Sequence, residues 1–269
     1  MEDKNHKEQQ LRIDRYMIKV IKMYCTWTLL SLPLTIYGYV ISDNSFISCI
    51  LSYIKYFFFV GKLYDSYHLW YLLALIYALV AIRFLQKKNT NIGMTFLLSV
   101  MIFGFSELFS CASEHLDNLQ GIAYKVVYMY QYVFNNGGVF KGMIYVVIGM
   151  MVATYRYYFN KWICVSGIVA LNFIKHPMPE YVIHWITIIE VVLVFMLLLN
   201  INLPNSKTWG ICRKFSVYIY LSHLICYSLY TFLIGEPNKL GVDSFVVTAF
   251  LSVLNAAVLI SIQGKSGSD

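Results

Sequence analysis

A chain of 269 residues is long enough for one large or two small soluble domains, but hydrophobic residues make up 59% of it and charged residues 13%, against about 45–50% and about 25% in soluble proteins. So few charges cannot cover a water-facing surface, and the mean hydropathy of +0.60 fits lipid as the solvent. The net charge of +7 does not mark a nucleic-acid binder, because the cations sit between apolar runs, where they set membrane topology.

The chain opens with a polar stretch, Met1–Gln10, and no cleavable signal peptide is expected, because the first apolar run is long enough to remain as a span. Spans of about 20 residues are predicted at Met23–Ile41, Ser66–Ile82, Ile92–Ser113, Gly138–Tyr155, Tyr158–Ile174, Tyr181–Leu203, Phe215–Ile234 and Ser244–Gln263. Phe46–Val60 carries Lys55 in its middle and is short, so it reads as an interfacial or re-entrant helix. The expected fold class is therefore an all-α integral membrane protein of about eight transmembrane helices plus one short one. Segment 1–16 reads as a cytoplasmic N-terminus, 17–263 as the membrane domain, and 264–269 as a disordered tail.

Eight spans put both termini on one side. With the N-terminus inside, inner segments collect fifteen of the 21 Lys and Arg, including Arg12, Arg15, Lys19, Lys22, Arg83, Lys87, Lys88, Arg213 and Lys214. The outer segments hold six: Lys55, Lys62, Lys125, Lys141, Lys175 and Lys239. That bias predicts cytoplasmic termini. Two connections, Ser42–Asp65 and Glu114–Gly137, are long and fall outside, where each has the length to build part of an external site.

Motifs of soluble enzymes are absent: no GxSxG, glycine-rich phosphate loop or HExxH. The six cysteines lie singly, without metal-ligand spacing, so no metal is expected. What remains are ionisable groups at membrane depth, which are costly and therefore functional candidates. His68 opens the second span in His68-Leu69-Trp70-Tyr71-Leu72. It either faces a site or joins an interfacial aromatic belt with Trp70 and Tyr71. His223 lies mid-span, and Ser216, Tyr220, His223, Tyr227 and Tyr230 recur at three- and four-residue spacing on one helix face. Such a stripe lines a channel for substrate or serves as interhelical hydrogen-bond glue. Glu107 and Glu190 must be paired, protonated or solvated within their spans. Arg12, Arg15, Lys19 and Lys22, just before the first span, either hold the phosphates of a cytoplasmic acyl donor or touch anionic lipid.

Four stretches together resemble the acyltransferase 3 family of bacterial membrane acyltransferases. They are Lys19-Val20-Ile21-Lys22-Met23-Tyr24-Cys25-Thr26-Trp27 with Leu32-Pro33; Gly61 with His68-Leu69-Trp70-Tyr71-Leu72; Asn136-Gly137-Gly138-Val139-Phe140 with Gly149; and Tyr218-Ile219-Tyr220-Leu221-Ser222-His223. They come in the family's order over roughly residues 12 to 262. The resemblance implies transfer of an acyl group, often acetyl, from acyl-CoA to a hydroxyl of a cell-surface carbohydrate or similar acceptor. It also implies location in a bacterial cytoplasmic membrane, with no bound cofactor.

It points to His68 and His223 as candidate catalytic residues and to Trp70, Tyr71, Tyr220, Tyr227, Glu107 and Asn136 as substrate-binding candidates. Arg12, Arg15, Lys19 and Lys22 are the corresponding donor-binding candidates, with Arg12 and Arg15 at the family's Arg-x-x-Arg spacing. Two departures stand out. The match begins at what corresponds to the family's third span, so the opening helix with its Arg and presumed catalytic His is expected to be missing. Asn135 also stands where the family has Arg. The alternatives are a non-catalytic, truncated family member acting as a binding or partner subunit, or a transporter using the same wet cavity. A transporter predicts inverted repeats with broken helices, and Pro33 and Pro204 do not occupy corresponding positions.

Overall fold

The computed structural model of the chain describes residues 2–42, 45–63, 66–135, 137–155, 160–201, 206–236 and 240–266. Among these residues the architecture is all-α. The helices are α1 (Glu2–Ile41), α2 (Phe46–Lys55), α3 (Trp70–Lys87), α4 (Ile92–Glu114), α5 (Gly121–Phe134), α6 (Gly138–Tyr155), α7 (Lys161–Lys175), α8 (Glu180–Leu199), α9 (Lys207–Ile234) and α10 (Val242–Ser266). A π-helical turn, Tyr56–Val60, extends α2, and a 3-10 turn, Tyr67–Leu69, leads into α3.

Among the described residues six helices are long and apolar enough to cross a membrane: Tyr67–Lys87, Ile92–Glu114, Gly138–Tyr155, Glu180–Leu199, Thr208–Ile234 and Val242–Ile262. The chain thus has the character of a multi-pass membrane protein. The other two expected spans take different forms. Met23–Ile41 is the second half of α1, a 40-residue helix of about 60 Å, and only its end, Leu32–Ile41, stands out as a short apolar helix. Tyr158–Ile174 is represented by α7, whose 15 residues cover about 22 Å of an apolar core about 30 Å thick. At the other end of the chain α10 continues to Ser266, into the stretch expected to be a tail; residues 267–269 lie outside the described residues.

The two long connections are mostly helical. In the first, Ser45 caps α2 by accepting from the Ser48 N–H, and the Tyr24 hydroxyl donates to the Phe57 carbonyl at 2.7 Å, tying the π turn to α1. In the second, α5 carries Tyr124, Tyr128 and Tyr132 at four-residue spacing, with successive rings stacked 5.8 and 6.4 Å apart. These contacts add local support to helices too short to span.

The residues form two compact units. One comprises residues 1–18 and 74–204. Its α3–α6 contact is built on Ala78, Ile82, Met143 and Val147. A Cβ on Gly142 would lie 2.9 Å from the Ala74 methyl, so α3 and α6 approach as closely as small residues allow. Phe103, Ile144 and Ile188 join α4, α6 and α8, with Trp185 stacked edge-on against Phe103 at 4.7 Å. Arg83 of α3 donates to both carboxylate oxygens of Asp14 at 2.8 and 3.2 Å. The other unit comprises residues 19–73 and 205–269. In it α9 runs against α10, and apart from Leu221 the buried positions are small: Ser222, Cys226, Ser228 and Thr231 on α9, with Ser244, Ser252 and Ala256 on α10. Small residues let helix backbones come close where lipid supplies no hydrophobic force between them.

Candidate functional site

In the unit of residues 19–73 and 205–269, the 3-10 turn Tyr67–Leu69 and the middle of α9 bring together two histidines 155 positions apart in number, His68 and His223. The ring centroids are 5.2 Å apart. Gly61 makes this possible. Its φ of +71° closes the π turn, and a Cβ there would sit 2.6 Å from the Trp70 Cα. A residue with a side chain would hold the Tyr67–Leu69 turn away from the preceding chain.

Each imidazole is held by backbone oxygen. His68 is buried, and its Nε2–H donates to the Leu221 carbonyl at 3.0 Å. Because a carbonyl only accepts, this bond leaves Nδ1 as the lone-pair nitrogen; Nδ1 is buried and has no partner. The Tyr220 hydroxyl donates back to the His68 carbonyl at 3.0 Å. His223 Nδ1–H donates to the Tyr220 carbonyl at 2.6 Å, which makes Nε2 its lone-pair nitrogen. Tyr220 and Tyr71 rings meet edge-on at 6.4 Å, and Trp70 and Tyr71 do the same at 6.4 Å. The Ser66 and Ser222 hydroxyls beside this cluster are buried without a partner.

His223 also lines a cavity of about 350 Å³ between α9 and α10, together with Leu224, Tyr227, Leu240, Gly241, Ser244, Phe245 and Thr248. The Ser244 and Thr248 hydroxyls are buried and unpartnered. The walls are otherwise apolar, so the polar groups of the cavity are an imidazole, a phenol and two hydroxyls. Along the tyrosine stripe of α9, Tyr220 reaches the turn before α3, Tyr227 lines the cavity, and the Tyr230 hydroxyl lies 3.5 Å from the Asp243 carboxylate.

The remaining candidates lie elsewhere. Arg12, Arg15, Lys19 and Lys22 are exposed on α1, and Arg15 Nε donates to the Leu11 carbonyl one turn back. Asn136 lies outside the described residues. Glu107 belongs to the other unit: Oε1 forms an ion pair with Lys141 Nζ at 2.6 Å, without hydrogen-bond geometry, and Oε2 accepts from His184 Nδ1 at 2.8 Å. Glu190 pairs with Lys175 and accepts from Asn172 Nδ2 at 2.6 Å. Both carboxylates at membrane depth are therefore paired across helices.

Sequence reasoning did not single out His184, Lys141, Ser244 or Thr248 as site residues. The first two did carry a signal. Glu107 lies late in α4, while Lys141 and His184 lie early in α6 and α8, and alternating topology puts those three helix ends on one face. The two hydroxyls carried none, since Ser and Thr are ordinary in a membrane helix. Comparison with protein-family models, curated proteins and solved structures finds no match to this chain.

Proposed function

We propose that the chain is a membrane-bound acyltransferase that moves an acyl group, in the simplest case acetyl, from acyl-CoA to a hydroxyl of a cell-surface carbohydrate or similar acceptor. The observation that carries this reading is the His68–His223 pair. Two stretches that resemble the acyltransferase 3 family, far apart in the chain, meet with their histidines 5.2 Å apart beside a cavity lined with hydroxyls.

In this reading His223 Nε2 takes the proton of the acceptor hydroxyl as that oxygen attacks the thioester carbonyl. The C–O bond forms, the C–S bond breaks, and the imidazolium returns its proton to the CoA thiolate. His68, its tautomer fixed by Leu221, and Tyr220, which bonds both segments, position His223. Ser244, Thr248 and Tyr227 orient the acceptor, and Trp70 and Tyr71 flank the entrance. Arg12, Arg15, Lys19 and Lys22 meet the CoA phosphates on the cytoplasmic side. The protein sits in a bacterial cytoplasmic membrane with both termini inside, and α7 and the end of α1 complete eight crossings.

The test is release of free CoA from acetyl-CoA by the purified chain in detergent, beside His223→Ala. Turnover in the wild type that falls roughly 10²-fold or more in the variant supports the reading. A folded wild-type chain that neither binds nor cleaves acyl-CoA would overturn it and favour a binding subunit.

A further inference from the structure

The unit of residues 1–18 and 74–204 contains a second histidine site, and its chemistry differs from the first. Glu107 on α4 is buried, with 5% of its side chain accessible. It receives the Lys141 ammonium of α6 on one oxygen and His184 Nδ1 of α8 on the other. Three helices thus place three titratable groups in one line. The Lys141 ammonium gives the carboxylate a partner in a low-dielectric site, where a carboxylate standing alone is costly. An ionised carboxylate accepts but cannot donate. It therefore draws the His184 proton to Nδ1 and leaves the lone pair on Nε2, as in a carboxylate–histidine pair that serves a nucleophile. The His184 side chain is 38% accessible, far more than Glu107, so the imidazole is the open member of the pair.

The surroundings fix this geometry. Trp185, next in sequence to His184, is wedged against Phe103 and beside Gly104 of α4. Ser106, the neighbour of Glu107, accepts from the Tyr130 hydroxyl and donates to the Gly137 carbonyl, both at 3.2 Å. Gly137 has φ +64°, and a Cβ there would fall 1.9 Å from the Tyr130 oxygen, so the turn into α6, four residues before Lys141, has room only for glycine. Among the described residues, His184 is the one histidine in an ion pair with a carboxylate.

We infer that His184 is a general base for a hydroxyl-bearing ligand, with Glu107 and Lys141 as its positioning residues, a site built within a different unit from the His223 cavity. The hydroxyl proton passes to Nε2, the freed oxygen attacks an ester or thioester carbonyl, the leaving oxygen or sulfur takes the proton back, and Glu107 compensates the imidazolium in between. Nothing in the step requires the His223 cavity or a CoA site.

The probe is therefore a simple ester, p-nitrophenyl acetate, with water as the hydroxyl, hydrolysed by the purified full chain in detergent. The wild type should hydrolyse it above the buffer rate with a normal solvent deuterium isotope effect. His184→Gln should lose roughly 10²-fold of the enzymic rate and the isotope effect with it. Glu107→Gln should lose part of the rate, and His176→Ala, in the connection before α8, none. Circular dichroism and gel filtration show whether each variant keeps its helices. A measurement that needs no variant accompanies this: mass-spectrometric mapping after diethyl pyrocarbonate treatment of the wild type should find His184 modified ahead of the buried His68. Hydrolysis no faster than buffer, a wild-type rate in folded His184→Gln, or an unmodified His184 would each overturn the inference. Failure of acetyl-CoA turnover alone would not, because the ester probe bypasses the thioester and its donor site.

Discussion

The two histidine sites hold their imidazoles by opposite means. His68 and His223 donate to main-chain carbonyls of α9, neutral groups that fix a tautomer without offsetting a charge. His184 donates to a carboxylate that a lysine in turn neutralises. The difference decides what each can do. A backbone-held pair is rigid and poor at storing a proton, so its proton must move on within the same step. A carboxylate-held imidazole bonds an anionic oxygen, a stronger acceptor than a main-chain carbonyl. Ionisable groups at membrane depth survive on pairing, and the first unit achieves by ion pairs what the second achieves by main-chain carbonyls.

That contrast can be broken in several ways. His223→Ala should have the largest effect, a loss of roughly 10²–10⁴-fold in acetyl-CoA turnover, read as free thiol. Next comes Glu107→Ala, which leaves the half-buried Lys141 ammonium without its counter-charge and should cost about 3–5 kcal/mol, read from thermal unfolding in detergent. Gly61→Ala should cost about 1–3 kcal/mol from the strained backbone alone, with more from the approach to Trp70, and should lower turnover by moving His68. Tyr220→Phe removes one hydrogen bond between the turn and α9 and should cost about 0.5–1.5 kcal/mol. Ser222→Ala removes a buried hydroxyl that has no partner, and should be close to neutral in stability.

Most of the helices were legible because lipid demands long apolar runs, and α3, α4, α6, α8, α9 and α10 announce themselves by length and composition. The segments around Phe46–Val60 and Gly121–Phe134 were less so. The first was expected to be a short helix at the interface, but the second read as part of a long connection, because a 14-residue helix has neither the length of a span nor a clean polar face. Its tyrosine ladder was its only regular feature. In the site, the Tyr220–His223 stripe was readable from three- and four-residue spacing, and His68 stood out as a candidate through the motif around it. Their meeting was not, since nothing local in the chain reports a contact between residues so far apart. The same holds for Glu107: its need for a partner follows from the cost of a carboxylate in lipid, while the identity of the partners depends on how α4, α6 and α8 rotate against one another.

The claim most exposed to test is that His68 and His223 act as one unit. The direct measurement is a double-mutant cycle on acetyl-CoA turnover, with wild type, His68→Ala, His223→Ala and the double variant in the same detergent. Residues that work together lose their contribution once, so the double variant should be no slower than His223→Ala alone. Losses that multiply would show two independent effects, and a chain that turns over acetyl-CoA at the wild-type rate without either histidine would contradict the account outright.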